Sequence, residues 1–253
     1  MSKPVVDGII LVLSCQKHIH TRVKEFKLPK SSYSNWRTIY ITGDLFLNKN
    51  YKLENDNLTI KCEDSYIHLL KKLVLSINYL NEIFEIKKGV LRCGDDLIFD
   101  ENKLETFLNT SHKPDFYGFS PRCVSVINPK LEDLKIVKDD YFMLSYYLQH
   151  PEDFANPNHN LKGVEIIKYI KRPRIDVGVA GVLYYISNKA CKILIEHMEK
   201  INFDVFHFDE FTKSYPYTIE DCAVSFILYY NQIDFTHSNI FNNYIAIHTN
   251  KYK

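Results

Sequence analysis

The strongest chemical signal in this 253-residue chain is an apolar run, Val90-Leu-Arg-Cys93, that passes through Gly94 into two adjacent carboxylates, Asp95 and Asp96. In sheets built from parallel strands, ligands bind beyond the carboxyl ends of the strands. Two carboxylates at such an end can hold a hard cation, Mg²⁺ or Mn²⁺, which in turn grips a diphosphate. The same residues also fit a plain polar turn, with Asp100 capping the helix that follows, and the segment alone leaves both readings open. The chain holds 18 Tyr and 16 Phe. Sugar faces stack on aromatic rings, so Trp36 and the Tyr215-Pro-Tyr217 loop are candidate platforms, with ordinary core packing as the alternative.

These residues need elements to position them. Residues 5–13, which include Asp7 and Gly8, are rich in Val, Ile and Leu on both faces, as in a central strand covered on both sides. Residues 37–42 form a second strand closed by Gly43 and Asp44. From 64 to 86 the apolar residues Tyr66, Leu70, Leu73, Val74, Ile77, Leu80 and Phe84 fall on one helical stripe. Asp64 and Ser65 are suited to cap its start, and Lys87-Lys88-Gly89 to end it. Residues 90–93 are the next strand, 101–108 a short helix, 115–119 a strand and 140–148 a helix. Pro151 to Asn160 reads as a loop. Residues 178–187 predict a strand, 188–200 a helix capped by Asn188, and 218–230 a helix opened by the capping-box pattern Thr218-Ile-Glu-Asp221. Residues 244–248 are a last strand. Strands alternate with helices, so the expected class is α/β with a mixed, mostly parallel sheet flanked by helices. With no repeat and no Gly/Ser linker, one domain over 1–253 is expected.

Composition excludes several classes. Hydrophobic residues are 45% and charged residues 25%, ordinary for a globular chain and wrong for a disordered one. Lys plus Arg is 32 against 31 Asp plus Glu, so no general field attracts nucleic acid or an anionic membrane. The one short basic stretch, Lys168-Tyr-Ile-Lys-Arg-Pro-Arg174, reads as solvated surface. No apolar run approaches the ~20 residues of a membrane span. The 6 cysteines are scattered without a Cys-x-x-Cys pair, which suits reduced thiols and makes the cytosol the expected compartment.

Five segments in order resemble glycosyltransferase family 31, the β-1,3-galactosyl- and N-acetylglucosaminyltransferases with their fringe relatives. Ile10-Leu-Val-Leu-Ser-Cys-Gln-Lys-His-Ile-His-Thr-Arg22 is similar to the fringe entry strand and its Arg-bearing loop. Asp64-Ser-Tyr-Ile-His-Leu-Leu-Lys-Lys-Leu73 resembles the family's Asp-Ser-Tyr-x-Asn-Leu-x-x-Lys helix start. Leu91-Arg-Cys-Gly-Asp-Asp-Leu-Ile-Phe99 resembles its Asp-Asp-Asp strand end. Gly181-Val-Leu-Tyr-Tyr-Ile-Ser187 resembles Gly-x-Gly-Tyr-x-hydrophobic-Ser, and Glu220-Asp-Cys-Ala-Val-Ser-Phe-Ile-Leu228 resembles Glu-Asp-x-x-x-Gly. The matches run from about residue 7 to 248. The Lys-, Asn-, Ile- and Tyr-rich composition without an anchor resembles soluble versions in large DNA viruses, which would work in the host cytoplasm.

The resemblance implies a GT-A-type (Rossmann-like) fold, with a nucleotide-binding part over about 1–100 and an acceptor-binding part over about 101–253. It implies a metal-dependent inverting hexosyltransferase. Such an enzyme moves a sugar from a UDP-sugar to a glycan or other hydroxyl acceptor, with Mn²⁺ or Mg²⁺ as cofactor. Asp221 is then the general base, with Glu220 as its rival and a helix cap as its ordinary role. Asp96 is the metal ligand. A C-terminal histidine completes the metal set: a gapless count falls near Asn243, Tyr244 or Ile245, so a short insertion is needed to reach His248, and His237 lies on the other side. Ser14, Gln16, Arg22, Lys72 and Asp95 are the donor-binding candidates, and Asp44 a further one near the nucleoside. Three positions depart from the family: Gly94 replaces the first Asp of the triplet, Leu183 the second glycine of the glycine motif, and Ser225 the Gly after Glu-Asp. Gly94 also motivates the alternative of a non-catalytic sugar- or nucleotide-binding relative. A metal-dependent phosphate-ester hydrolase using Asp95 and Asp96 is a third possibility.

Overall fold

The computed structural model describes residues 2–26, 35–111, 113–119, 136–173, 178–233, 235–237 and 245–249. Cys123, Arg174, Asn243, Tyr244 and most of the stretch from Pro121 to Ile136 lie outside them. In chain order the elements are β1 (Val5–Leu13), α1 (Arg22–Glu25), β2 (Trp36–Gly43), β3 (Tyr51–Glu54), β4 (Asn57–Ile60), α2 (Leu69–Ile83), β5 (Glu85–Gly94), β6 (Leu97–Phe99), α3 (Glu101–Asn109) and β7 (Phe116–Gly118). There follow β8 (Ile136–Asp139), α4 (Tyr141–Gln149), α5 (Ile166–Tyr169), β9 (Lys171–Pro173), β10 (Leu183–Ser187), α6 (Asn188–Lys200), α7 (Glu220–Tyr230), β11 (Phe235–His237) and β12 (Ala246–His248).

An eight-stranded mixed sheet runs in the order β11-β7-β10-β5-β1-β2-β4-β3. β1 pairs in parallel with both β2 and β5, β2 with β4, and β7 with β11, while β10 is antiparallel to β5 and β7. β1 is central because it has no polar face. Ile9, Leu11 and Leu13 enter one apolar cluster with α2, α6 and α7, while Ile10 and Val12 enter a second with Leu104 and Leu108 of α3. The α/β class with a partly parallel sheet packed on helices follows, and among the described residues no helix is long and apolar enough to cross a membrane.

Local chemistry shifts several boundaries. The stripe at 64–86 is a single 3-10 turn, Tyr66–His68, followed by α2, and Asp64 is not its cap. Lys87, Lys88 and Gly89 belong to β5, not to a helix end. Gly89 has φ +150, and a Cβ there would come within 2.2 Å of the Ile186 carbonyl oxygen. β10 begins at Leu183, so the two glycines before it lie outside the strand. Ser187, not Asn188, caps α6, accepting from the Ala190 N–H at 3.2 Å. The capping box at 218 does not form: α7 starts at Glu220, and the Thr218 hydroxyl donates to the Tyr169 carbonyl. The loop from Pro151 opens with a 3-10 turn, Pro151–Phe154, and β3 and β4 are strands in a stretch without a sequence expectation.

Cys15, Cys62, Cys93, Cys191 and Cys222 are free thiols. Within the basic stretch, Lys168 lies over the Tyr169 and Tyr215 rings, Lys171 meets Asp139, and Arg172 Nε lies 3.0 Å from Asp140.

Candidate functional site

Parallel pairing brings the ends of three strands to one edge. Leu13 stands opposite Ile41 of β2 and Gly94 of β5, so Ser14 and Asp95 lie just past the carboxyl ends of β1 and β5, beside Gly43 at the end of β2. Because β10 is antiparallel and Leu183 faces Cys93, Gly181 and Val182 come to the same edge, where the Gly94 N–H donates to the Val182 carbonyl at 3.2 Å.

Asp95 is 6% exposed. Its Oδ2 accepts from Ser14 Oγ at 2.7 Å and from His18 Nδ1 at 2.9 Å, and its Oδ1 from Arg22 at 3.3 Å. Burial opposes its charge, but the hydrogen bonds from His18 and Ser14 hold its pKa below the ordinary carboxylate value. Ser14, Arg22 and Asp95 are thus brought together as the sequence suggests. His18 is a member that sequence reading missed. The signal in the sequence was a titratable side chain in the loop after β1, between Ser14 and Arg22.

Asp96, next in the chain, faces the other way. Its Oδ2 lies 3.5 Å from Nδ1 of His248, more than 150 positions later. β12 does this: it pairs antiparallel with β6 in the register His248 opposite Leu97, and the Thr249 N–H donates to the Asp96 carbonyl at 2.9 Å. In an octahedron with ~2.1 Å bonds, neighbouring ligands sit about 3.0 Å apart, so this carboxylate and imidazole fit one divalent cation as two of its ligands. Among the described residues no third His, Cys, Asp or Glu joins them, which leaves the other positions for water and phosphate oxygens. His237 lies in β11, at the far edge of the sheet.

Lys72, a donor-binding candidate, is enclosed behind the β1 loop. It is 1% exposed, and its ammonium donates to Asp64 at 2.8 Å and to the Ser14 carbonyl at 2.6 Å. Burial works against its charge, but Asp64 outweighs it and the pKa rises. Asp64 also accepts from the Gln16 N–H at 2.7 Å and the Gly43 N–H at 2.8 Å. This buried pair therefore ties the ends of β1 and β2 together and positions the loop that carries Ser14 and His18. The Gln16 side chain is exposed and, with His20, Thr42, Asp44 and Thr59, lines an open cleft of about 400 Å³.

Asp221 and Glu220 separate cleanly. β5 side chains alternate, so Arg92 points to the α7 face with Val90, and there it meets Glu220 at 3.0 Å. Tyr184 donates to the other Glu220 oxygen, and Arg92 also donates to the Gly181 carbonyl. Burial, the dominant influence, pushes the Glu220 pKa up against the pull of Arg92. Asp221 is half-buried, with Oδ2 accepting from the Gly181 N–H at 2.9 Å and Oδ1 from the Cys222 N–H at 2.8 Å. Gly181 thus places Asp221 at the edge that carries Asp95 and Asp96. Of the aromatic platforms, Trp36 is buried against Gly8 and Tyr217 is 1% exposed, so both serve the core. Tyr215 packs its ring 4.8 Å from that of Tyr169.

No protein-family model matches this chain, and no curated protein matches it.

Proposed function

We propose that this chain is a metal-dependent inverting glycosyltransferase of GT-A type, similar to family 31, that moves a sugar from a UDP-sugar to a hydroxyl of a glycan or other acceptor. The observation that carries the reading is the meeting of Asp96 and His248 at the carboxyl edge of the sheet, with Asp221 held to the same edge by Gly181. The mixed sheet flanked by helices, with its acidic turn just past β5, supports it further.

In this reading Asp96 and His248 hold the cation. When bound, a divalent cation supplies positive charge to a departing diphosphate. Asp221 takes the proton of the acceptor hydroxyl as that oxygen attacks the anomeric carbon from the side opposite the diphosphate. The new carbon–oxygen bond forms as the bond to the diphosphate breaks, and UDP leaves. The two backbone N–H groups on Asp221 fix its carboxylate without consuming every lone pair. Glu220, enclosed by Arg92 and Tyr184, orients the start of α7 and is not the base.

One observation favours the second reading, a nucleotide-binding relative without transfer. A Cβ at Gly94 would lie 2.9 Å from Asp96 Oδ1, so the family's first Asp is missing where the present Asp96 side chain crowds it. The test is thermal stability with UDP, with and without Mn²⁺, in the wild type, Asp96→Ala and His248→Ala. Mn²⁺ should deepen UDP stabilisation in the wild type and add nothing in either variant. Equal metal dependence in all three contradicts the cation site. UDP binding without UDP release from any UDP-sugar selects the second reading.

A further inference from the structure

Resting on the nucleotide-sugar reading, we propose that Tyr66 binds the acceptor beside Asp221, and that this acceptor is a saccharide. The ring takes the C–H face of a pyranose, and the hydroxyl bonds an oxygen on the sugar's rim.

Packing brings Tyr66 to the start of α7. Ile67, the next residue, is buried in one apolar cluster with Ile219, and Cys222 packs against that cluster. The Ile67 N–H donates to the Tyr147 hydroxyl at 3.1 Å, which ties the 3-10 turn Tyr66–His68 to α4. Tyr66 and Asp221 thus stand on either side of shared neighbours. Burial is the largest influence on the Tyr66 hydroxyl, and Asp221 is the foremost charge acting on it; both push its pKa up, so the phenol keeps its proton.

Tyr66 differs from the tyrosines around it. Its ring is 44% exposed, whereas Tyr147, Tyr184 and Tyr217 are buried. An open ring whose hydroxyl is crowded by protein lines a concavity. The buried tyrosines have partners for their hydroxyls in Ile67, Glu220 and Asp209. Among the described residues the Tyr66 hydroxyl has none, so its hydrogen bond is left for a ligand or water. The ring is held in place by Tyr146, whose ring centre lies 5.2 Å away and whose own hydroxyl donates to Asp153 at 2.7 Å. A ring already fixed gives up little freedom when a ligand stacks on it. A pyranose has an apolar C–H face and a rim of hydroxyls, which matches a flat ring ending in a free hydroxyl; a serine side chain has no such face. Stacked there, the sugar presents a rim hydroxyl to Asp221. The aromatic side chain suited to a sugar is therefore Tyr66, and not the buried Trp36 or Tyr217.

The test takes methyl β-galactoside, methyl N-acetyl-β-glucosaminide, methyl α-mannoside and a serine peptide as acceptors for the wild type, Tyr66→Phe and Tyr66→Ala. In saturation-transfer NMR, irradiating the protein's aromatic protons should pass magnetisation to the C–H protons of at least one glycoside in the wild type and Tyr66→Phe, and to none in Tyr66→Ala. For transfer to that glycoside, losing one hydrogen bond in Tyr66→Phe should raise the acceptor KM about fivefold. Losing the stacking as well in Tyr66→Ala should raise it about thirtyfold, with the affinity for UDP and Mn²⁺ unchanged in both. An unchanged acceptor KM in Tyr66→Ala, equal weakening of UDP, or transfer to the peptide alone overturns the assignment. Magnetisation that reaches no glycoside in the wild type overturns it even where Tyr66→Ala fails to fold. Failure of the donor reading looks different: a glycoside binds through Tyr66, but no UDP-sugar releases UDP in its presence.

Discussion

Asp221 and Glu220 share one turn of helix and have opposite surroundings, so substitution should separate them. Asp221→Asn keeps the Gly181 bond and should leave UDP affinity within about twofold while transfer falls by roughly 10²–10⁴, read as Kd against kcat. Glu220→Ala strands the Arg92 guanidinium in the core and should cost about 3–5 kcal/mol, read as a lowered urea midpoint. If Glu220 were the base, its loss would abolish transfer with the midpoint intact. Sequence alone could not make this division. A Glu-Asp pair at a helix start says nothing of which carboxylate faces the core; that depended on Arg92 lying on the α7 side of β5. The Asp95-Asp96 pair was legible because an apolar strand ran straight into it. Lys72 stood among the donor-binding candidates by its match to the motif lysine; its enclosure by Asp64 and the Ser14 carbonyl was not legible, because both partners lie outside its own helix.

At the scale of elements, His248 depends on a three-residue strand. β12 exists through its ladder with β6, in which Ile247 stands opposite Ile98 and is exposed. Proline cannot donate to a ladder. Ile247→Pro should therefore abolish the metal-dependent part of UDP stabilisation, as His248→Ala does, while changing the metal-free melting temperature little. Retained metal dependence would show that β12 does not position the ligand. Elements with a strong local signal were readable, among them β1 from the apolar run Ile9 to Leu13 and α3 from Asp100. β3 and β4 were not, since four-residue strands at a sheet edge carry too few apolar positions to mark a period. The capping box failed because Thr218 satisfies the Tyr169 carbonyl, a contact with a segment 49 residues away that no local pattern encodes.

At the scale of the whole molecule, two histidines set opposite pH slopes. His68 is buried, and burial lowers its pKa to about 4, below the unfolded value of 6.5. Its contribution to stability is complete above 6.5 and is lost as pH falls through 4. His18 is raised to about 9, so its contribution is complete below 6.5 and is lost as pH rises through 9. Stability from the pair should peak near pH 6.5. Urea midpoints against pH should lose the alkaline slope in His18→Gln and the acid slope in His68→Gln; slopes unchanged in both would refute these roles. The α/β class was legible from the alternation of elements. The ladder that carries His248 back to Asp96 was not, because it joins positions more than 150 residues apart.

The central claim is that this sheet edge transfers a sugar from a nucleotide. Its most direct measurement is UDP release from a panel of UDP-sugars with Mn²⁺, with chelator, and in Asp221→Asn. The account predicts slow release by the wild type with Mn²⁺, quickened by a suitable saccharide, and near-background release in the other two. Release that persists undiminished with chelator and in Asp221→Asn, or no release from any UDP-sugar offered with saccharide acceptors, would contradict it.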